Sequence, residues 1–181
     1  MLKRNWKHSL AATTCLCILS ACQTTPSRPL PLAKQVDLPR FMGGWYVIAA
    51  IPTMFEKGAH NPMDHYVLEP DGSITTTYTF NADSFDGKAK SYQSRGYVLD
   101  PSNAIWGQQY VWPFKADYRI SYVSPDYSQT IVAREKRDYV WIMARTPSIP
   151  DADYQLLVKM VGEQGYDVSL LQKALQRAPQ K

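Results

Sequence analysis

No cysteine follows position 22 in this 181-residue chain. Disulfide frameworks, thiolate metal sites and cysteine nucleophiles are thereby excluded from everything downstream. Histidine is almost as scarce. Of the three, only His60 and His65 lie beyond the first ten positions, with Asp64 beside one of them. Without a third they make no histidine zinc site, and they read as surface residues of a loop. Serine is plentiful, yet none sits in a G-x-S-x-G elbow. No catalytic residue, metal or cofactor is therefore expected, and the chain does not read as an enzyme. It also lacks a surplus of charge. Of 20 basic residues, Lys3, Arg4 and Lys7 fall within the first seven positions, so 17 remain against 16 acidic ones. No basic patch points to nucleic acid.

What is present begins at the N-terminus. The basic start is followed by an apolar segment, Leu10 to Leu19, and then by Leu19-Ser20-Ala21-Cys22. Leu-Ser-Ala-Cys resembles the lipobox of bacterial lipoproteins, where cleavage precedes a cysteine that is acylated on its thiol and amine. The resemblance implies that residues 1–21 leave as a signal peptide, taking Cys15 and Cys17, and that a lipidated Cys22 holds the protein to a membrane. Gln23 rather than Asp follows the cysteine. By the sorting rule of Gram-negative lipoproteins this implies the outer membrane; the periplasmic face is the expected side, which the rule itself does not specify. Residues 22–37 are rich in Pro and Thr and read as a tether. Residues 38–181 then form one domain with room for a sizeable core.

Trp45-Tyr46-Val47-Ile48-Ala49-Ala50-Ile51 is apolar without alternation and too short to cross a membrane. It reads as a strand covered on both faces. Seven more strands follow at close spacing: His65–Leu68, Ile74–Phe80, Lys90–Leu99, Ile105–Trp112, Tyr118–Val123, Gln129–Glu135 and Tyr139–Arg145. Turn signals such as Pro70-Asp71-Gly72 separate them. Only then does the period change. Tyr154, Leu157, Val158 and Val161 recur at helical spacing behind Pro150 and Asp151, and Gly165 supplies a stop. The pattern predicts an all-β fold, an eight-stranded antiparallel up-and-down barrel with one C-terminal helix packed outside.

Four motifs lie on that pattern. Gly43-Gly44-Trp45 matches the G-x-W signature of the lipocalins, just before the first strand. Ser124-Pro125-Asp126-Tyr127 resembles the second lipocalin motif, a T-D-Y turn. Trp141-Ile142-Met143-Ala144-Arg145-Thr146-Pro147 resembles the third, and Tyr166-Asp167-Val168-Ser169 is similar to the bacterial and apolipoprotein D branch. The resemblance spans about Leu38 to Gln176. It implies that Arg145 stacks on Trp45 at the closed end, giving Gly43, Trp45 and Arg145 a structural role. It also implies that Tyr66 and Trp141 line a pocket.

Period-two reading extends the inward face. Tyr66 and Leu68 oppose His65 and Glu69; Ile74, Tyr78 and Phe80 oppose Thr75, Thr77 and Thr79. Tyr118, Ile120 and Tyr122 oppose Arg119 and Ser121. Tyr139, Trp141 and Met143 share a face with Arg145, and Trp106, Gln108 and Tyr110 face inward on their strand. So many buried tyrosine hydroxyls need partners, which suits a cavity with an amphipathic ligand better than a dry core. Tyr66, Tyr78, Phe80, Tyr110, Tyr118, Trp141 and Met143 are the expected ligand-binding residues. The long first loop, Pro52 to Met63, is placed over the open end, and two readings of it stand equal: Met54 and Phe55 shield an acyl chain while Glu56, Lys57 and His60 meet a head group, or the loop is solvated and has no ligand role. The reading is an outer-membrane-anchored monomer or homodimer that stores or transports a fatty acid or lysophospholipid. The alternative is a filled barrel that serves as a structural or docking lipoprotein of the envelope.

Overall fold

A computed structural model describes residues 28–177. The signal segment, the lipobox and Cys22 lie outside the described residues. A short helix α1 (Leu38–Phe41) precedes β1 (Gly43–Ile51), β2 (Ala59–Leu68), β3 (Ile74–Ala82) and β4 (Ala89–Val98). Then come β5 (Ile105–Val111), β6 (Phe114–Val123), β7 (Gln129–Ala133) and β8 (Val140–Ala144). Helix α2 (Asp151–Glu163), a 3₁₀ turn (Val168–Leu170) and a two-residue strand β9 (Gln172–Lys173) follow. Each of β2 to β7 pairs with the next, and β1 pairs with both β8 and β2, so the eight strands close into an antiparallel barrel. β9 joins β1 at Ala49 and Ala50 on the edge opposite β8, where β2 no longer pairs with it.

The seven apolar residues of β1 are explained by two cores. Trp45, Val47 and Ala50 belong to the barrel interior, while Ile48, Ala49 and Ile51 belong to an outer core with Leu157 and Val161 of α2. Alternation is interrupted once, by a bulge between Val47 and Ala49 that puts two consecutive residues on the outer face. Both faces are dry, so both are apolar. The stripe read on α2 fits this packing: Leu157 and Val161 are buried, Tyr154 and Val158 flank them, and Gly165 leaves the helix with φ at +91°.

Ends of β3, β4, β5, β7 and β8 differ from the expected ones by one or two residues, and three boundaries differ by more. The first loop ends at Gly58, because β2 starts at Ala59 and carries Asn61 and Pro62 within a second bulge. The Asn-Pro pair, a turn signal, is accommodated by that bulge and by a positive φ at Asn61. β6 starts at Phe114, directly after Pro113, since a two-residue turn joins Val111 to Phe114. Lastly, residues Leu30–Val36, which composition assigns to a tether, are docked on the barrel. Leu30 N donates to Glu135 Oε1 near the open end, Ala33 N to Ile120 O, and Val36 N to Ser102 O at the closed end. Leu30 and Val36 are buried.

The closed end is plugged. The Arg145 guanidinium lies 3.8 Å from the centre of the Trp45 ring and donates to the carbonyls of Gly44, Arg40, Phe41 and Tyr127. Phe41 of α1 is fully buried against Trp45, Tyr66 and Trp106. Gly43 suits its place through its backbone: its φ is +89°, a conformation that side-chain-bearing residues rarely adopt, while a Cβ there would meet Arg145 Nη1 at an ordinary contact of 3.6 Å.

Candidate ligand cavity

Above this plug the barrel holds a cavity of about 520 Å³, open at the end formed by the first loop and the β5–β6 turn. Its floor is aromatic and hydrogen-bonded to itself. The Tyr66 and Tyr118 hydroxyls meet at 2.7 Å, and Trp106 stacks on Tyr118 with ring centres 5.1 Å apart. Burial pushes both phenols well above their ordinary pKa, so they stand neutral. One inward position nearer the mouth on β2 is Asp64, paired in the ladder with Tyr78 of β3. Thr76 is the ladder partner of both Tyr66 and Ser94, and Gln108 Nε2 donates to Ser94 Oγ at 2.6 Å. A polar band thus runs from β2 to β5 above the floor.

The wall opposite this band is formed by Trp141, Met143 and Val132. Trp141 Nε1 donates to Glu56 Oε1 at 2.7 Å, and Glu56 Oε2 accepts from Thr53 N, also at 2.7 Å. The first loop is thereby tied to the last strand of the barrel.

Of the expected ligand-binding residues, Tyr66, Tyr78, Tyr110, Tyr118, Trp141 and Met143 line the cavity. Phe80 does not; it is buried beside Tyr78 and Tyr92, with ring centres 5.3 Å and 6.1 Å away. Tyr122, expected inside, faces outward under α2, because a bulge between Ile120 and Tyr122 turns the alternation over. Leu68, also expected inside, is exposed at the strand's end. Met54, Phe55 and Glu56 of the first loop line the mouth, whereas Lys57 and His60 do not. His60 sits on β2, its ring edge-on to Phe85.

Asp64 reads in the sequence as a loop neighbour of His65. The period-two rule that turns Tyr66 inward nevertheless turns Asp64 inward as well, and β2 extends far enough to apply it. Burial and the nearby Glu56 raise its carboxyl to about 7, with Tyr66 opposing the shift by a hydrogen bond. The other charges on the lining are neutralised by partners. Asp117 receives Arg119 Nε at 2.8 Å, and Arg134 pairs with Asp138 at 3.2 Å. Among the described residues, no group of three His, Cys, Asp or Glu side chains is placed to hold a metal. No described helix is long and apolar enough to cross a membrane.

The mouth carries exposed apolar side chains from two elements that are distant in sequence. Met54 and Phe55 are 74% and 70% exposed, and Trp112 and Phe114 of the facing turn are 82% and 76% exposed.

A closed eight-stranded barrel with an aromatic plug, an external helix and a single-mouthed cavity defines a lipocalin architecture. Residues 36–176 match the family model of the lipocalin-like domain, and the chain belongs to the lipocalin family. It is 32% identical to temperature-induced lipocalin-1 of Arabidopsis thaliana over 162 residues, covering 84% of this chain and 86% of the plant protein. It is 29% identical to the outer membrane lipoprotein Blc of Escherichia coli K12, covering 88% and 90%. Among solved structures, the major allergen Per a 4 from cockroaches superposes with a TM-score of 0.61 at 19% identity, covering 81% of this chain and 92% of the allergen.

Proposed function

We propose that this lipocalin is an outer-membrane lipoprotein that binds a single-chain lipid, a fatty acid or lysophospholipid, in its barrel and stores or transports it without catalysing a reaction. The observation that carries the reading is the cavity itself. Some 520 Å³ with one open end falls in the range of small-molecule sites and argues against a filled structural barrel. Burying ~10 methylenes at ~0.8 kcal/mol each leaves micromolar or better binding after the cost of association.

Anchoring is supported by Leu19-Ser20-Ala21-Cys22 and by the likeness to an outer membrane lipoprotein. The course of the N-terminal segment agrees with it. Arg28 O accepts from Arg137 near the open end, so the six peptide steps back to Cys22 reach at most ~21 Å from there. A lipid on Cys22 therefore keeps the mouth, with its apolar rim, close to the membrane surface.

Two measurements test the reading. Delipidated protein titrated with dodecanol, dodecanoate and a lysophospholipid should show saturable changes in tryptophan fluorescence, because Trp141 faces the cavity. Absence of any response, with the lipids free in solution, would remove the binding function. Cys22→Ser should leave unprocessed or mislocalised protein; normal maturation and outer-membrane fractionation of that variant would remove the anchor.

A further inference from the structure

We propose that the polar band above the cavity floor is a subsite for a primary ammonium group, so that among single-chain lipids the barrel selects those with a protonated amine head over free fatty acids. The proposal rests on the lipid-binding reading and specifies its head group.

Charge comes first. Asp64 and Glu56 are two carboxylates on one cavity, and neither has a cationic partner among the described residues. The one cation among the described lining residues, Arg134, pairs with Asp138 through Nη1 and lies over the Tyr139 ring, while its buried Nε has no hydrogen-bond partner. Asp117 is likewise engaged, by Arg119. The other titratable groups on the lining are phenols: Tyr66 on the same strand, Tyr78 on β3 and Tyr118 on β6, held neutral by burial, then Tyr92 on β4, Tyr110 on β5, which is 63% exposed at the mouth, and Tyr139 before β8. A fatty-acid carboxylate placed here meets like charge in a low-dielectric site. An ammonium meets the opposite charge.

The second observation is independent of charge. Thr76 and Gln108 are 5% and 1% exposed and line the cavity, yet Thr76 Oγ1 and Gln108 Oε1 have no hydrogen-bond partner. Unpaired buried acceptors are costly, and they recur where a ligand supplies the missing donor. A primary ammonium carries three donors. Asp64, Thr76 and Gln108 stand on β2, β3 and β5 of one lining together with Tyr66, Tyr78 and Tyr118, and Gln108 Oε1 lies over Gly96, so that a head group reaches it only after a small turn of the side chain. With its head in this band, an amphiphile's chain runs up past Met143 and Trp141 toward Met54 and Phe55, meeting one carboxylate on the way, that of Glu56 beside Trp141.

Dodecylamine, dodecanol and dodecanoate share a chain and differ in head charge, so their affinities at pH 8 separate the contributions. The amine should bind at least ~10-fold tighter than the alcohol, as a charge-assisted hydrogen bond implies, and the carboxylate weaker than the alcohol. The amine stays protonated across the range, as a lysine does, while Asp64 loses its charge below about 7. The advantage of dodecylamine over dodecanol should therefore shrink several-fold between pH 8 and pH 5.5, a result that needs no variant. Asp64→Asn should remove most of that advantage at pH 8, and Glu56→Gln, which keeps an acceptor for Trp141, should remove a smaller part. Lysophosphatidylethanolamine against lysophosphatidylglycerol of equal chain length distinguishes a lipid head group from a free amine as source, according to which pair shows the Asp64-dependent gain. If the alcohol binds and neither the amine nor the ethanolamine lipid gains over its comparator, the ammonium subsite is overturned while the lipid cavity stands. If nothing binds, both are overturned.

Discussion

Trp141 and Glu56, 85 residues apart in sequence, are joined by a 2.7 Å hydrogen bond from the indole Nε1 to a carboxylate oxygen. The bond fixes a loop residue to the cavity wall, and it makes the tryptophan a wall element with one face on space and one on protein. Trp141→Ala should therefore cost less stability than the ~3–5 kcal/mol of a filled core site, while lipid affinity falls about tenfold. Urea unfolding and dodecanol titration on the same variant check both halves. Trp141→Phe, which keeps an aromatic ring and loses the donor, should cost ~1–3 kcal/mol.

Asp64 makes stability depend on pH. Its carboxyl ionises at about 7 when folded and near 3.8 when unfolded. Its contribution is then most favourable below pH ~4, declines as pH rises from 4 to 7 because the unfolded chain sheds its proton first, and levels off above 7. The decline should amount to a few kcal/mol. Asp64→Asn should flatten this segment and raise stability at pH 8, read from urea midpoints at pH 4, 6 and 8.

Arg145 serves the closed end alone. Arg145→Ala leaves four carbonyls without their donor and Trp45 without its stacked cation, so unfolding should shift by ~1–3 kcal/mol. Dodecanol affinity in the folded variant should stay within about threefold of the parent, since the side chain lies beneath the floor.

The bulges can be tested by register. Tyr78→Ala should change lipid affinity, whereas Thr77→Leu and Tyr122→Ala should not, because both of the latter sit on the outer face. An effect of Tyr122→Ala on binding equal to that of Tyr78→Ala would place Tyr122 inside and contradict the bulge at Ser121.

Much of this architecture is legible in residues alone. The strict alternation of Ile74–Phe80 gives the facing of β3, and the helical stripe at Tyr154–Val161 gives the outer helix. What escapes has a physical cause in each case. A bulge inverts parity without any residue that announces it, which hides the outward turn of Tyr122. Asn61-Pro62 reads as a loop because both residues disfavour a regular ladder, and that reading shortens β2 and leaves Asp64 off its strand. A carboxylate, moreover, is expected to face water; only the strand's parity with Tyr66 puts this one inside. The prolines of residues 26–31 suggest a free tether, yet Leu30 and Val36 carry enough apolar surface to dock the segment they bound. Phe80 has the expected facing and still misses the cavity, since Tyr78 and Tyr92 stand around it.

The plug at the closed end also sets an order in time. Arg145 reaches carbonyls of Arg40, Phe41 and Gly44 that lie 105, 104 and 101 residues upstream, and β1 finds its partner β8 over a similar span. Loops of that length are closed late and slowly, because their entropy is lost before the contacts that compensate it exist. A chain made from its N-terminus therefore holds Trp45 uncapped until β8 has emerged. The barrel thus closes only after its last strand is present, while the sequential pairs from β2 to β7 need no part of that seam.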